Sequence, residues 1–259
     1  MNKKILQIEE LSINAFPAIL TELYDGWVLR YSNGYTYRGN SVNPLYTSTI
    51  DIKDKIKYCE SKYFDRGLPC VYKMTENADS ELDIILEKQG YAIEKSAEIM
   101  ECKIDKEIKY QIKEVEEVKI SVDMTNEWLD GFLNLNGVTK EIMKSTAKTM
   151  LSNIKNPIFC ASINDGETMI ACGLGVLENG KIGLYDIHVM EQYRRKGFGS
   201  KICKSIINQG IKNGADLAYL QVASVNEKAI NLYKSLGFEK VYTYWYRVKK
   251  ISDNESIDD

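Results

Sequence analysis

Histidine, proline and paired cysteines are scarce in this chain of 259 residues. It has one histidine, His188, and four prolines, and its six cysteines include no Cys-x-x-Cys pair. Zinc sites of the Cys and His type need clustered ligands, and a Ser-His-Asp triad would have to use His188. The scattered cysteines are therefore expected to be reduced, mostly buried thiols of a cytosolic protein.

Excess charge and long apolar runs are also missing. The net charge is -3, from 34 basic and 37 acidic residues. The composition supplies no large basic field for nucleic acid or anionic lipid, and no stretch approaches a membrane span. The N-terminal segment meets two glutamates before any apolar core of signal-peptide length. We therefore expect a cytoplasmic protein with no nucleic-acid or membrane partner.

The remaining composition, 44% hydrophobic and 27% charged residues, is that of a globular protein. At this length one large domain and two modest ones are both open. A stretch rich in Lys and Glu at 105–119 has little apolar periodicity at its start and is the predicted boundary. We therefore predict one domain at 1–110, a second at 111–250, and an acidic flexible tail at 251–259.

Hydrophobic periodicity predicts mixed helices and strands in both domains. In the first domain, the pattern over 8–26 predicts a helix, and aromatic runs on either side of Asn33-Gly34 predict a hairpin. In the second domain, the dipeptides Asp165-Gly166 and Asn179-Gly180 predict turns between three antiparallel strands. Further helices are predicted at 51–65, 79–89, 124–135, 139–154, 199–213 and 227–236. Further strands are predicted at 69–74, 92–102, 217–222 and 240–249.

A weak internal repeat links the two domains. Setting Gly90 on Gly237, an offset of 147 residues, aligns YKMTENADSELDIILEKQGY with YLQVASVNEKAINLYKSLGF. Both halves of the chain share a pattern of a strand, a helix, a Gly-aromatic pair and a second strand. Two interpretations stay open: a duplication, or the similarity that any strand-helix-strand unit shows.

The most informative segment is DIHVMEQYRRKGFGSKICKSII, in which a strand is followed by a basic turn and a helix. Gly197 and Gly199 let the backbone bend so that successive N–H groups converge at the helix start. A helix N-terminus carries about half a positive charge, and the basic side chains at 194–196 add to it. The turn therefore predicts a site for an anion such as a pyrophosphate. It is neither a Walker loop nor a dinucleotide GxGxxG motif.

This turn, Arg194-x-x-Gly197-x-Gly199, resembles the Q/R-x-x-G-x-G/A loop that binds the acyl-CoA pyrophosphate in the GNAT superfamily of N-acyltransferases. At the right distance follows YLQVASVNEKAINLYKSLGF, which resembles the second signature of that family. The resemblance covers about Ile112 to Lys250. More narrowly, the chain looks like a bacterial two-domain group, with DGWVLR and YRGNSVNPL near the N-terminus and a YWYR-type ending.

The resemblance implies an α+β GNAT fold, in which helices flank a mostly antiparallel sheet, in two tandem units of which the N-terminal one is degenerate. It also implies that two parallel strands, 183–190 and 217–222, splay apart and that the acyl-pantetheine of acetyl-CoA pairs with backbone groups there. No metal is implied. The implied cofactor-binding residues are Ile187, His188, Val189, Arg194, Arg195, Lys196, Gly197, Phe198, Gly199, Ser200, Asn226 and Tyr233.

The implied reaction is direct transfer of an acetyl group from acetyl-CoA to a primary amine of a small-molecule acceptor. An alkyl ammonium with a pKa of about 10 is no nucleophile, so a base must take a proton, and an acid helps the thiolate to leave. The resemblance places Tyr233 beside the sulfur as the acid. Asp186 and His188 alternate onto one face of their strand, and each is a candidate base. Structural roles stay open for all three residues.

The N-terminal domain is interpreted as a degraded copy that binds no acyl-CoA. Under the offset, Tyr233 falls on Leu86 and Asn226 falls on Asp79, and no glycine phosphate loop precedes Pro69. Its hairpin either lines the acceptor side of the cleft or packs onto the sheet. The hairpin residues concerned are Trp27, Arg30, Tyr31, Tyr35, Tyr37, Arg38, Asn40 and Ser41.

Two other functions stay open. One is a non-catalytic acyl-CoA-binding regulatory module, because a fold and a loop do not prove turnover, although the retained Tyr233 favours an enzyme. The other is a protein or peptide N-acetyltransferase, which needs an exposed peptide groove. The acceptor amine and the acyl length cannot be read from the sequence, and a homodimer stays open.

Overall fold

A computed structural model describes residues 2–104 and 117–251. Within these two ranges the chain forms seven α-helices and eleven β-strands. Its contacts define two compact units: unit 1 combines Met1–Ala97 with Tyr242–Asp259, and unit 2 is Glu98–Val241. The last strand of the sequence therefore belongs mainly to the first unit. The predicted boundary at 110/111 and the predicted tail after 251 lie outside the described residues.

Unit 1 contains three helices that begin at capping side chains. The helices are α1 (Lys3–Ala15), α2 (Ile52–Phe64) and α3 (Ser80–Lys88). Asn2, Asp51 and Asp79 precede them, and each side chain accepts a hydrogen bond from an N–H group in the first turn. These residue types are favoured at this position because they satisfy backbone donors that have no intrahelical partner.

The strands of unit 1 have the order β1-β2-β3-β4-β11. They are β1 (Leu20–Tyr24), β2 (Trp27–Tyr31), β3 (Val42–Pro44), β4 (Cys70–Met74) and most of β11 (Glu239–Lys249). Strand β3 pairs in parallel with β4, and the other neighbours in this order pair antiparallel. The core of the unit is apolar and closed, with Leu29, Val42, Tyr63 and Tyr72 each 0% exposed.

The predicted helix over 8–26 is wrong in its second half. Helix α1 ends at Ala15, and β1 follows it. Asp25 and Gly26 adopt φ values of 41° and 82°, and they close a two-residue hairpin in which Tyr24 pairs with Trp27. Asp-Gly is a strong signal for this turn, although the apolar spacing before it also fits a helix.

The predicted hairpin about Asn33-Gly34 is also different in the structure. Strands β2 and β3 do pair antiparallel, but a long loop joins them. Asn40 organises this loop: its side-chain oxygen accepts from the N–H groups of Ser32 and Gly34, and its amide donates to the Thr36 carbonyl at 2.8 Å. The second aromatic run is therefore held as a loop rather than as a strand.

Unit 2 is built on strands in the order β5-β10-β9-β8-β7-β6. These are β5 (Ala92–Lys103), which begins in unit 1, β6 (Lys119–Ser121), β7 (Ile158–Asp165), β8 (Thr168–Glu178), β9 (Lys181–Val189) and β10 (Leu217–Ala223). Strands β7, β8 and β9 form the predicted antiparallel run, whereas β9 and β10 are parallel. This mixed α/β arrangement confirms the predicted fold class.

Four helices belong to unit 2: α4 (Asn126–Leu135), α5 (Glu141–Ser152), α6 (Phe198–Lys212) and α7 (Glu227–Ser235). Helix α6 packs closely on β8 because two glycines there have no side chain. A Cβ atom at Gly173 would lie 2.6 Å from Ile202 Cγ2, and one at Gly175 would lie 2.5 Å from Ile206 Cγ2. This contact sets the height of the α6 N-terminus above the sheet.

The offset of 147 residues matches elements of the two units. It places Ser80–Lys88 on Glu227–Ser235, so α3 and α7 have the same bounds under the offset. It also places the first residues of β4 and β5 on the first residues of β10 and β11. In both units the strand before this helix pairs in parallel with an earlier strand. Across the two described ranges, no helix combines the length and the apolar character needed to cross a membrane.

Candidate active site

The candidate site begins where β9 and β10 separate. Their parallel pairing runs from Leu217↔Lys181 to Leu220↔Leu184. Strand β9 nevertheless continues to Val189, and β10 continues to Ala223. The ends of the two strands therefore leave a gap with backbone groups along its side, as the splayed pair in the sequence prediction requires.

A β-bulge in β9 produces this separation. Leu174 of β8 pairs with Tyr185, and Cys172 pairs with His188, so β9 has one extra residue over this interval. Asp186 lies within it and has a φ of 52°. A bulge bends its strand and increases the local twist. The end of β9 is thereby turned away from its neighbour.

The bulge corrects the prediction that Asp186 and His188 share a face by simple alternation. The extra residue interrupts the alternation, and Asp186 is not among the residues that line the pocket. Its backbone carbonyl oxygen lies 3.8 Å from the Cys172 thiol of the neighbouring strand. Burial raises the pKa of Cys172, and the charge of Asp186 raises it further.

The predicted anion loop lies between β9 and α6. After a short 3-10 turn at Glu191–Tyr193, Arg195 and Gly197 adopt φ values of 63° and 83°, and α6 begins at Phe198. No side chain caps this helix. The N–H groups of its first turn have no intrahelical partner and point out of the helix, toward the pocket. This is the backbone arrangement that the glycine pattern predicted.

The pocket formed by these elements has a volume of about 590 Å³. Its walls are the end of β9, the loop with the start of α6, and one face of α7. The predicted residues that line it are Ile187, His188, Val189, Arg194, Arg195, Gly197, Phe198, Gly199, Ser200, Asn226 and Tyr233. Lys196 does not line it, and its ammonium lies 5.0 Å from the centre of the Tyr193 ring. The structure thus brings together eleven of the twelve predicted cofactor residues.

Four further lining residues were missed at the sequence level: Tyr193, Lys228, Ala229 and Leu232. Ala229 lies four residues before Tyr233 on α7, and Lys228 lies four residues before Leu232. Residues at this spacing share a helix face. The helical period could therefore have located Ala229 once Tyr233 was placed at the site, but not Lys228 and Leu232, which form a neighbouring row of the helix.

The charge of the pocket is positive. Arg194, Arg195 and Lys228 line it, and none of its lining residues is acidic. Arg194 also braces the loop, since its Nε donates to the Val189 carbonyl at 3.1 Å. The cations and the free backbone N–H groups can bind an anionic group such as a phosphate ester. The apolar wall can contact an apolar arm of the same ligand. The volume is in the usual range of ligand pockets, about 300–1,000 Å³.

Tyr233 lies at the inner end of the α7 face. Asn226 caps the helix by accepting from the N–H of Ala229 at 3.2 Å, and this fixes where α7 begins. Tyr233 follows two turns later, 7% exposed, with its ring centre 6.1 Å from that of Phe238. Burial raises the pKa of Tyr233, and Cys203 raises it further. The phenol is therefore protonated at neutral pH.

His188 lies on the opposite wall, near the end of β9, and lines the same pocket. Burial lowers the pKa of His188 below the ordinary value of 6.5, and the nearby Arg194 lowers it further. Imidazole is therefore the main form at neutral pH, and it can accept a proton. Of the two predicted base candidates, the structure brings only His188 into the pocket.

The side chains of the predicted acceptor-side hairpin are used inside unit 1. Trp27, Arg30, Tyr31, Asn40 and Ser41 are each at most 5% exposed. The Arg30 guanidinium donates to the carbonyls of Phe16 and Arg38, and Tyr37 donates to Glu94 at 2.7 Å. These contacts correspond to the packing alternative. Within the described ranges, no three His, Cys, Asp or Glu side chains are grouped as metal ligands would be.

Comparison with known proteins places the chain among acetyltransferases. Residues 3–247 match the family described as "Probable histone acetyltransferase Rv0428c C-terminal". The Bacillus subtilis protein named "Uncharacterized N-acetyltransferase YobR" is 28% identical over 251 residues, which are 95% of this chain and 99% of the relative.

Solved structures share the fold. A GCN5-related N-acetyltransferase from Kribbella flavida has a TM-score of 0.66 at 12% identity over 97% of both chains. A tandem GNAT protein from the clavulanic acid biosynthesis pathway has a TM-score of 0.64 at 12% identity, over 95% of this chain and 89% of that one. Because the family match spans nearly the whole chain, the protein belongs to the Rv0428c-like acetyltransferase family and is an N-acetyltransferase with the GNAT fold.

Proposed function

We propose that unit 2 transfers an acetyl group from acetyl-CoA directly to a primary amine of a small-molecule acceptor. The observation that carries the proposal is the continuity of one pocket, which joins a loop of N–H donors and cations to a buried tyrosine. We assign the phosphates to the loop at 195–200 and the pantetheine to the free edge of β9. Backbone pairing to that edge follows the same logic as strand addition.

Tyr233 is assigned as the general acid. The amine nitrogen attacks the thioester carbonyl carbon, the carbon–sulfur bond breaks, and the sulfur takes a proton from the Tyr233 hydroxyl. The raised pKa keeps this proton on the phenol in the resting enzyme. A positioned acid of this kind is worth about 10² to 10⁴ in rate.

His188 is assigned as the general base. It takes the proton that the amine must lose, directly or through one water molecule, and its lowered pKa makes the neutral form available at pH 7. An ammonium acceptor loses two protons in all: His188 takes the first, and the second leaves to solvent as the carbon–nitrogen bond forms. The proton on His188 then returns to the tyrosinate through solvent, so that the sulfur leaves as a thiol and one proton is released overall. Asp186, which does not line the pocket, is the alternative base. The following experiment distinguishes it from His188.

We expect kcat/KM to rise with pH and to level off near or below pH 6.5, because His188 must be neutral and its pKa is lowered. In His188→Ala, the rising part of this pH profile, its acid limb, should move to higher pH by more than one unit, toward the pKa of the amine itself. Asp186→Asn, in which Asn tolerates the positive φ at this position, should leave the limb in place. A limb that moves in Asp186→Asn and not in His188→Ala would assign the base to Asp186.

Lys228 is expected to hold the donor from the α7 side of the pocket. In Lys228→Ala, the KM for acetyl-CoA should rise about two- to five-fold with kcat unchanged, because an exposed charge contributes at most about 1 kcal/mol. The effect should shrink at high salt. Lys234→Ala is the matched control, since Lys234 is an exposed lysine of the same helix that does not line the pocket. Equal effects of the two substitutions would mean a general charge effect.

The proposed activity is tested by measuring CoA release from acetyl-CoA over a panel of polyamines, amino acids, aminoglycosides and peptides. We expect release with at least one small primary amine, and loss of that release in Tyr233→Phe. Release only with peptides would assign the protein to peptide acetylation. Acetyl-CoA binding without release from any acceptor would favour the non-catalytic binding module.

A further inference from the structure

Unit 1 repeats the framework of the candidate site. Strand β3 precedes α2 and pairs in parallel with β4, which precedes α3, just as β9 precedes α6 and pairs with β10 before α7. The segment at 45–51 is thus the counterpart of the loop before α6. It contains no lysine or arginine.

A second cleft lies at the corresponding place in unit 1. It has a volume of about 330 Å³, and its walls are the end of β3, the segment at 45–51, the start of α2 and the N-terminal half of α3. Asp79 and Leu82 line it, and under the offset they fall on Asn226 and Ala229, which line the pocket of unit 2. The two clefts are therefore matched by position as well as by element.

The anion position beside this cleft is filled by the protein itself. The Asp25 carboxylate, from the β1–β2 turn, accepts hydrogen bonds from the N–H groups of Thr49 and Ile50, each at 2.9 Å. It also accepts from the Thr49 hydroxyl at 2.9 Å and lies 3.2 Å from the Lys55 ammonium. The two N–H groups lie in the segment before α2, whose own first turn is capped by the Asp51 side chain. Successive backbone N–H groups of a turn, with a cation nearby, are donors that a phosphate group would use.

The carboxylate is firmly fixed in this position. A Cβ atom at Gly26 would lie 2.3 Å from the Thr47 carbonyl oxygen, so the turn presses directly on the segment before α2. The Lys55 ammonium is fully buried and also donates to the Asp25 carbonyl at 2.5 Å. The N–H groups of Ile50 and Thr49, with the Thr49 hydroxyl and Lys55, hold the pKa of Asp25 well below its usual range. The group is therefore an anion at neutral pH.

We propose that the Asp25 carboxylate is a permanent internal ligand of a phosphate cradle in unit 1, formed by Thr49, Ile50 and Lys55, and that it keeps phosphate esters out of this unit. The loop of unit 2 has the opposite arrangement: cations line its pocket, and no side chain caps the helix that follows it. The proposal concerns unit 1 alone and does not depend on the acetyl transfer assigned to unit 2.

The test follows backbone amide resonances of the ¹⁵N-labelled full chain during titration with pyrophosphate. In the natural protein, the Thr49 and Ile50 amides should not respond, at concentrations that saturate any response at Gly197–Ser200. In Asp25→Gly, which removes the carboxylate and accepts the positive φ of the turn, both amides should shift. Adding Lys55→Met to Asp25→Gly should weaken that response at least several-fold.

A second variant and a stability measurement support the same test. Asp25→Asn keeps the turn, and its amide cannot serve all the donors, so pyrophosphate should displace it and shift the same amides. Asp25→Gly should also lose thermal stability that pyrophosphate restores and sodium chloride of equal ionic strength does not. A response of Thr49 and Ile50 in the natural protein would overturn the proposal. The absence of any shift of these amides in both folded variants would also overturn it, and Asp25 would then only connect two loops.

Discussion

Tyr233→Phe should lower kcat by about 10²-fold or more while the KM for acetyl-CoA changes by less than about two-fold. The substitution removes only the hydroxyl, and the ring that packs against Phe238 is retained. The loss therefore falls on protonation of the departing thiolate rather than on the fold or on donor binding. Steady-state kinetics with a saturating amine measure both constants.

The matched control for this prediction is Tyr219→Phe. Tyr219 is 1% exposed in the same unit, and its hydroxyl lies 2.7 Å from that of Tyr185, outside the pocket lining. This control should lose some stability, about 1 kcal/mol for one hydrogen bond, with kcat nearly unchanged. If Tyr233→Phe behaves like Tyr219→Phe, Tyr233 is a packing residue and the acid lies elsewhere.

The anion loop could be predicted from sequence because its physics is local. Two glycines, three cations and a following amphipathic helix determine where the N–H groups converge, and the structure shows that loop as expected. The matching helices of the internal repeat could also be predicted from sequence, because one offset relates the bounds of α3 and α7. Both features depend on spacing within short segments.

The features that could not be predicted depend on pairing between distant segments. The face of Asp186 is decided by the register of β9 against β8, where one extra residue breaks the alternation. The Asp25-Gly26 turn is a different case, because it is local: Leu20–Tyr24 pairs with Trp27–Tyr31 across an Asp-Gly signal, although the apolar spacing before the turn also fits a helix. The contact between Asp25 and the segment before α2 joins residues 24 and 25 positions apart. No local pattern encodes it.

Gly197→Val should raise the Kd for CoA by about 10²-fold. Gly197 has a φ of 83°, which a β-branched residue avoids, and a Cβ atom there would meet nothing within 4 Å. The substitution therefore changes the backbone and not the packing. When the loop leaves the left-handed conformation, the N–H groups after it turn away from the phosphates. Losing two hydrogen bonds to a charged group, at about 1.5 kcal/mol each, corresponds to this factor.

Gly214→Val separates loop geometry from general destabilisation. Gly214 follows the other end of α6, has a φ of 87°, and would likewise place a Cβ atom in open space. Both substitutions should lower the thermal midpoint by similar amounts, because each forces the same left-handed conformation on valine. Only Gly197→Val should weaken CoA binding, as measured by calorimetry below both midpoints. Equal losses of affinity in the two variants would show that the fold as a whole, and not the loop before α6, controls donor binding.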